Sequence, residues 1–376
     1  MEDQNMEFSI EKSELLTALY RAQGVVERRT AMPILANILL EAKKSIIVIT
    51  ATDLEVGVRG SYPAVIEKEG SITMPARHLY DIAKELPEGK IYFKRKENFW
   101  VEIVSGKALF NIVGLSPEDY PALPNYKDKK FYDIKPEILK EMIQKTIFSV
   151  STDETRYHLN GVFFEKPKPG ENTIRMVATD GHRLSLIDKQ IEFSEELSFT
   201  RGVIIPRKGL VELKRLLEEG ESEYQIGFDS NHVVIKKEKV IIFIRLIDGE
   251  FPDYEQVIPQ NHTKKVILNK EKFLGSLRRI SLLSNDRSKA IKLCLKDDIL
   301  EISTNNPEIG EAKEELDISY KGSDLEAGFN AKYFMDVLNA IESEEVSLEF
   351  NDKLSPGVIR SVGDDKYVCV VMPMRI

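Results

Sequence analysis

TATDLE at Thr50–Glu55, VATDGH at Val177–His182 and STNNPE at Ser303–Glu308 are three near-copies of one phrase. Asp53 and Asp180 lie 127 residues apart, and Asp180 and Asn306 lie 126 apart. A second phrase keeps the same order and nearly the same interval: MPARHLYDIAKEL (Met74–Leu86), IPRKGLVELKRLL (Ile205–Leu217) and FNAKYFMDVLNAI (Phe329–Ile341). Two unrelated phrases at one interval mark an internal repeat, and this period is domain-sized, not that of a solenoid. The expectation is three copies of one domain, over residues 1–126, 127–259 and 260–376.

Outward from those phrases, each third opens with a short strand and then a helix. Phe8–Ile10 leads into Glu11–Gln23, Phe131–Ile134 into Pro136–Ile147, and Val266–Leu268 into Lys270–Leu283. Apolar residues at helical spacing support this: Ile138, Leu139, Met142 and Ile143 form one stripe, and Phe273, Leu274, Leu277 and Ile280 another. Pro136 suits a first helical turn, where its missing N–H costs nothing. Strand-like runs follow, and the pattern then restarts within the same third. Each third is two strand-helix-strands units, giving six helices and an α+β class with mostly antiparallel sheet. LSPEDYPALP (Leu115–Pro124) and LIDGEFPDYEQVIP (Leu246–Pro259) end the first two thirds, and their prolines mark linkers.

The bulk properties narrow the class. A chain of 376 residues with 42% hydrophobic content can build a core in each third. No run reaches the ~18 apolar residues of a membrane span, and MEDQNMEFSI is too polar for a signal peptide. The two cysteines, Cys294 and Cys369, sit in apolar strand-like runs and read as buried thiols. A cytoplasmic protein is expected. The net charge of −9 is unlike that of a generic nucleic-acid binder.

No enzyme constellation is present. The sequence has no GxxxxGK[ST], GxSxG, HExxH or CxxC. The five histidines, at 78, 158, 182, 232 and 262, have no Cys or His partner at ligand spacing, so neither metal nor cofactor is expected. His182 beside Asp180 could serve as a general base, but the first copy has Leu54 near that position and the third has Pro307.

Charge is unevenly distributed. Arg207, Lys208, Lys214 and Arg215 share one helix, and Lys270, Lys272, Arg278 and Arg279 another. Taken singly these are ordinary solvated faces. Recurrence on equivalent helices points to one basic surface facing a polyanion through phosphate contacts, without sequence readout. Acid gathers in Cys294–Asp317, with eight carboxylates against two lysines. An acidic edge of that kind can pair head to tail with a basic edge on another subunit.

VATDGHRLS (Val177–Ser185), RYHLNGV (Arg156–Val162), IIPRKG (Ile204–Gly209), DGEFPDY (Asp248–Tyr254) and the terminal VVMPMRI together resemble the bacterial sliding clamps, the beta subunits of DNA polymerase III holoenzyme. MPILANILL (Met32–Leu40) and MPARHLYDI (Met74–Ile82) agree, and the resemblance covers the chain from Met6. It implies a head-to-tail homodimeric ring of six similar domains, helices inside and antiparallel sheets outside. Such a ring encircles duplex DNA and confers processivity, with no catalytic activity and no cofactor. The implied partners are duplex DNA, a second copy, the polymerase alpha subunit, the clamp-loader delta subunit, and other polymerases and repair proteins with a clamp-binding motif. The implied location is the bacterial cytoplasm, at the nucleoid.

The resemblance also assigns residues. Its partner-peptide cleft maps to Leu159, Thr179, Gly181, His182, Arg183, Leu184, Pro252, Val257, Asn330, Tyr333, Leu354, Val370, Val371, Met372, Pro373, Met374 and Arg375. Methionine and aliphatic side chains suit an adaptable apolar groove. Gln256 and Pro356 depart from the arginine and serine of well-known clamps. DNA contacts map to Arg29, Arg77, Arg156, Tyr157, His158, Arg207 and Lys208. At the dimer interface Phe110 and Ile112 would meet Leu282 and Leu283 of the other chain. Glu308, Glu311, Glu314 and Glu315 would face basic groups near Arg77 and Lys107, where His78 replaces a common lysine. Two other readings of the residues stand beside this one: a DNA-associated peptide-binding adaptor that does not encircle DNA, and a DNA-modifying enzyme using His182 and Asp180.

Overall fold

The computed structural model describes residues 6–27, 31–168, 171–191, 202–220 and 222–375. Six α-helices occur among them: α1 (Lys12–Val25), α2 (Ala76–Glu85), α3 (Pro136–Thr146), α4 (Arg207–Leu217), α5 (Lys270–Ser281) and α6 (Ala331–Ala340). They form two to a third, as the apolar stripes predict. In α5 the stripe Phe273, Leu274, Leu277 and Ile280 is buried. Asn269 caps that helix by accepting from Lys272 N at 3.0 Å, and Asn330 caps α6 by accepting from Lys332 N at 2.9 Å. α1 packs on α2, and α5 on α6. Among the described residues, no helix is long and apolar enough to cross a membrane.

All strand pairings among the described residues are antiparallel, and they build four sheets of five, eight, eight and four strands. The chain packs as two compact units, one from the described residues within 1–137 and 208–246, the other from those within 138–207 and 247–376. Both cut across the central third, because the eight-stranded sheets join strands of neighbouring thirds. In the first unit the strand Val56–Pro63, which follows the Asp53 turn, pairs with Val240–Arg245, with Val56 opposite Ile244. In the second unit the strand Arg183–Gln190, which follows the Asp180 turn, pairs with Asp364–Val371, with Arg183 opposite Val371. Both partners of the second pair stand 127 residues beyond those of the first, so the two seams are the same junction repeated.

The equivalent strands at the ends of the chain have no such partner. Gly310–Asp317, which follows the Asn306 turn, is an edge of the four-stranded sheet, and Ala108–Val113 is an edge of the five-stranded sheet. Cys294 and Cys369 are buried and unpaired. Burial pushes the Cys369 thiol up to about 11, as expected of an inert core thiol.

Candidate functional site

The turn carrying the repeated phrase is closed by its own side chains. Thr179 Oγ1 accepts from Gly181 N at 3.1 Å and donates to the Arg183 carbonyl at 2.7 Å. Asp180 Oδ1 accepts from His182 N at 2.9 Å and Arg183 N at 3.0 Å. Short Thr and Asp side chains are suited to this, since they bond backbone groups two to four residues on. The closure forces a left-handed residue, met by Gly181 at φ +87.

That turn aims the buried Arg183 inward. Its Nε donates to Asp180 Oδ2 at 3.1 Å, its Nη1 to Asp336 Oδ2 at 2.6 Å, and its Nη2 to the Phe148 carbonyl. The guanidinium lies 4.6 Å from the Tyr333 ring centroid and 5.5 Å from that of Phe148, within cation–π range. Burial pushes the Tyr333 phenol above its ordinary value, and Asp180 adds to this. Arg183 thereby holds the 180-turn, α6 and the 3-10 turn Ile147–Ser149 after α3 at one point.

The C-terminal segment seals the other side. Met372 N donates to the His182 carbonyl at 2.8 Å, and Met374 N to the Gly328 carbonyl at 2.8 Å. Met372, Pro373 and Met374 are half-buried. The strand leading into this segment, Asp364–Val371, contributes Val368 and Val370 to an apolar cluster that also holds Val177, Leu184, Leu186, Tyr254 and Val358, flanked by Phe163, Phe251 and Ile258. Val257 is exposed, and Leu354 is 70% exposed on the turn after Glu345–Phe350. Leu159 is buried at the end of a 3-10 turn, Glu154–Leu159, and Val371 is fully buried in the seam. Pro252, Gly181, His182 and Arg375 are exposed.

Hydrogen bonds thus join Thr179, Gly181, His182, Arg183 and Met372 directly, and Arg183 reaches Tyr333 through its ring. Sequence reasoning missed Asp336 and Phe148, the partners of Arg183. The available signal was Asp336 three residues after Tyr333, on the same face of α6.

The basic residues behave differently from one another. Lys208 lies between Asp53, in close contact, and Glu27 at 3.0 Å. Burial works to lower its pKa, but the two carboxylates outweigh it and hold the ammonium above its ordinary value. Arg21 pairs with Glu219 at 2.6 Å, Arg215 with Glu212 at 2.9 Å, and Arg279 with Glu314. By contrast Arg77 and Arg207 are exposed, and no ion pair involves either among the described residues. Arg156 donates to Asp153 at 3.1 Å, beside the exposed Tyr157, whose ring meets His158 edge-on at 5.7 Å. Arg29 lies outside the described residues.

Of the interface candidates, Phe110 and Ile112 sit on the edge strand Ala108–Val113, Phe110 exposed and Ile112 half-buried. Glu311, Glu314 and Glu315 sit on the edge strand Gly310–Asp317, and Glu308 in the turn before it. Leu282, 78% exposed, and the half-buried Leu283 follow α5. Beside the second edge is an open pocket of about 900 Å³ whose lining includes Lys292, Thr304, Asn306 and Glu311. Among the described residues, no three His, Cys, Asp or Glu side chains converge as a metal site would require.

Three family models match in succession. The DNA polymerase III beta subunit N-terminal domain matches residues 6–124, the central domain 133–253, and the C-terminal domain 255–375. The chain is 36% identical to the beta sliding clamp of Pseudomonas aeruginosa over 376 residues, covering 99% of this chain and 100% of that protein. It is 35% identical to the beta sliding clamp of Staphylococcus aureus, covering 98% and 99%. Among solved structures, the DNA polymerase sliding clamp of Bacillus subtilis superposes with a TM-score of 0.93 at 32% identity, covering 99% of this chain and 100% of that one. The Pseudomonas aeruginosa clamp bound to griselimycin superposes with a TM-score of 0.91 at 35% identity, with the same coverage.

Proposed function

This chain belongs to the DNA polymerase III beta subunits, the bacterial sliding clamps, and from that premise we propose how its own residues do the clamp's work. It is a DNA sliding clamp: a non-catalytic processivity subunit that acts as a homodimer with DNA and the polymerase. The finer reading concerns the ring, the cleft and the DNA surface. We assign the three domains to residues 1–126, 127–259 and 260–376.

The observation that carries the ring is the pair of unmatched edges. The seam between neighbouring thirds occurs twice inside the chain, and the same two strand types are left over at its ends. Open antiparallel edges are a liability that association removes. Pairing Gly310–Asp317 of one copy with Ala108–Val113 of another repeats the seam a third time. A contact between two different surfaces is heterologous, and two copies close it into a ring. Carried over in register, the internal seams put Gly310 opposite Ile112 and Ala312 opposite Phe110 of the second copy. Leu282 and Leu283 then cover the apolar side chains of that strand, and the carboxylates at Glu308–Glu315 approach Arg77 and Lys107.

The surface formed by Leu159, Thr179, Gly181–Leu184, Pro252, Val257, Asn330, Tyr333, Leu354 and Val370–Arg375 takes short partner peptides. The polymerase alpha subunit, the clamp-loader delta subunit and other clamp-binding polymerases and repair proteins are its occupants. Arg29, Arg77, Arg156, Tyr157, His158, Arg207 and Lys208 are the DNA contacts, made to the phosphate backbone with no base readout. The protein works in the bacterial cytoplasm, on the nucleoid.

The test combines solution mass with retention on DNA. The clamp gives a dimer that, once loaded, stays on nicked circular DNA and is lost on linearisation. A monomer at micromolar concentration sinks the ring, and retention indifferent to linearisation favours an adaptor that does not encircle DNA.

A further inference from the structure

The strand Glu345–Phe350 is buried on both faces. Val346, Leu348 and Phe350 fill the core, while Ser347 and Glu349 point the other way and are 2% and 4% exposed. A buried carboxylate is tolerated only when paired and hydrogen-bonded, so this polar face needs a polar cover. The cover is the segment entering the last third. From that segment Lys265 meets Glu349 at 2.9 Å and His262 Nε2 lies 3.3 Å from it, while Arg360 Nε of the neighbouring strand Gly357–Ser361 adds a contact at 3.5 Å.

Asn351, next along that face, grips the same segment at four points. Its Oδ1 accepts from Thr263 N at 2.9 Å, and its Nδ2 donates to the Asn261 carbonyl at 2.7 Å. Its own carbonyl accepts from Thr263 Oγ1 at 3.3 Å and Lys264 Nζ at 3.1 Å. One step on, Asp352 Oδ1 accepts from Leu354 N at 2.8 Å and Ser355 N at 3.0 Å, so Leu354 projects from a closed turn. Four residues upstream of Asn261 stands Val257. Both stretches of chain continue into one apolar cluster, through Tyr254 and Ile258 on one side and Val358 on the other.

We propose that Asn351 is a positioning residue of the partner cleft, stapling the stretch that bears Val257 to the turn that bears Leu354 and so fixing the apolar lips before a partner arrives. The proposal rests on the cleft reading above. Lips ordered in advance need not be ordered on binding, so their loss is felt as weaker affinity, mainly through faster dissociation.

The experiment uses the full chain and griselimycin, the compound bound to the Pseudomonas aeruginosa and Bartonella birtlesii clamps, with affinity read by calorimetry. Met372→Ala first tests the cleft itself: unchanged affinity there means griselimycin does not sit at this cleft, and the proposal falls with the reading. With Met372→Ala weakened, Asn351→Ala is expected to lose about fivefold in affinity. Leu354→Ala should then cost clearly less in the Asn351→Ala background than in the native one, because coupled residues are non-additive. Equal costs of Leu354→Ala in both backgrounds, or native affinity in Asn351→Ala, overturn the proposal while leaving the cleft reading standing. Thr263→Val, which removes one of the four bonds, carries the same cycle if Asn351→Ala does not fold.

Discussion

The turns Thr52–Val56 and Thr179–Arg183 share one hydrogen-bond scheme and use it for different ends. In the first, Thr52 Oγ1 accepts from Leu54 N at 3.0 Å and donates to the Val56 carbonyl at 3.1 Å. Asp53 Oδ1 accepts from Glu55 N at 2.9 Å and Val56 N at 2.6 Å. These bonds match those of Thr179 and Asp180 one for one. The covering bond also recurs: Arg245 N donates to the Glu55 carbonyl at 2.7 Å where Met372 N donates to that of His182. The difference lies in the second carboxylate oxygen. Asp53 uses it to hold Lys208, a lysine of α4, whereas Asp180 uses it to hold Arg183 beneath Tyr333. One scaffold thus neutralises a cation in the first unit and seats an arginine against an aromatic ring in the second.

The sharpest break in this parallel is Arg183→Ala. It removes the cation shared by Asp180 and Asp336, leaving Asp336 only Lys332 and Asp180 only its backbone N–H bonds; losing one side of a buried ion pair typically costs about 3–5 kcal/mol. Lys208→Ala removes a single, partly exposed ammonium rather than a buried guanidinium with three hydrogen bonds, so it should cost less than Arg183→Ala in urea denaturation. Equal costs would show that the two turns carry the same load.

A smaller effect separates the left-handed positions. Leu54 adopts φ +77 where Gly181 adopts +87, and a side chain there is strained by roughly 1–2 kcal/mol. Gly181→Ala should therefore destabilise by about 1 kcal/mol. Leu54→Gly should stabilise by about 0.5 kcal/mol, since glycine's greater freedom when unfolded offsets part of the relief. A loss in Leu54→Gly would mean that the leucine side chain contributes packing that outweighs its strain.

Neutralisation of Lys208 also has a consequence on DNA. Removing one phosphate contact lowers the salt slope by about one unit. Arg207→Ala should show that change, and Lys208→Ala a smaller one, because Asp53 and Glu27 already occupy its ammonium. The reverse order would mean that DNA displaces both carboxylates.

The smallest effect concerns pH. Burial holds His262 below its ordinary pKa, although Glu349 acts to raise it. A histidine depressed in the folded state binds fewer protons folded than unfolded. Its contribution is complete above its unfolded pKa of about 6.5 and is lost as pH falls below that value. The melting temperature should therefore drop less between pH 7 and pH 5.5 in His262→Gln than in the native chain. An identical drop in both would assign the acid sensitivity elsewhere.

Much of this molecule was legible in the chain. The apolar stripes located the helices, and the phrase at Asp53, Asp180 and Asn306 located the turns, because short-range chemistry is written locally. The resemblance assigned a set of residues to the proposed cleft, but the partners that hold them in place were not legible. Asp336 reaches Arg183 across 153 residues, and Lys208 reaches Glu27 across 181. Asn351 looks like an ordinary loop asparagine until its bonds to 261 and 263 are seen.

By itself the sequence determined a threefold repeat, an α+β class, and the faces each helix and strand must bury. Tertiary structure alone decided that Val56–Pro63 pairs with Val240–Arg245 and Arg183–Gln190 with Asp364–Val371, leaving Ala108–Val113 and Gly310–Asp317 as edges. The physical reason is that side-chain periodicity reports which face of a strand is buried. Strand edges are built of backbone N–H and C=O groups that almost every residue carries alike, so their choice of partner leaves little trace in the residue types.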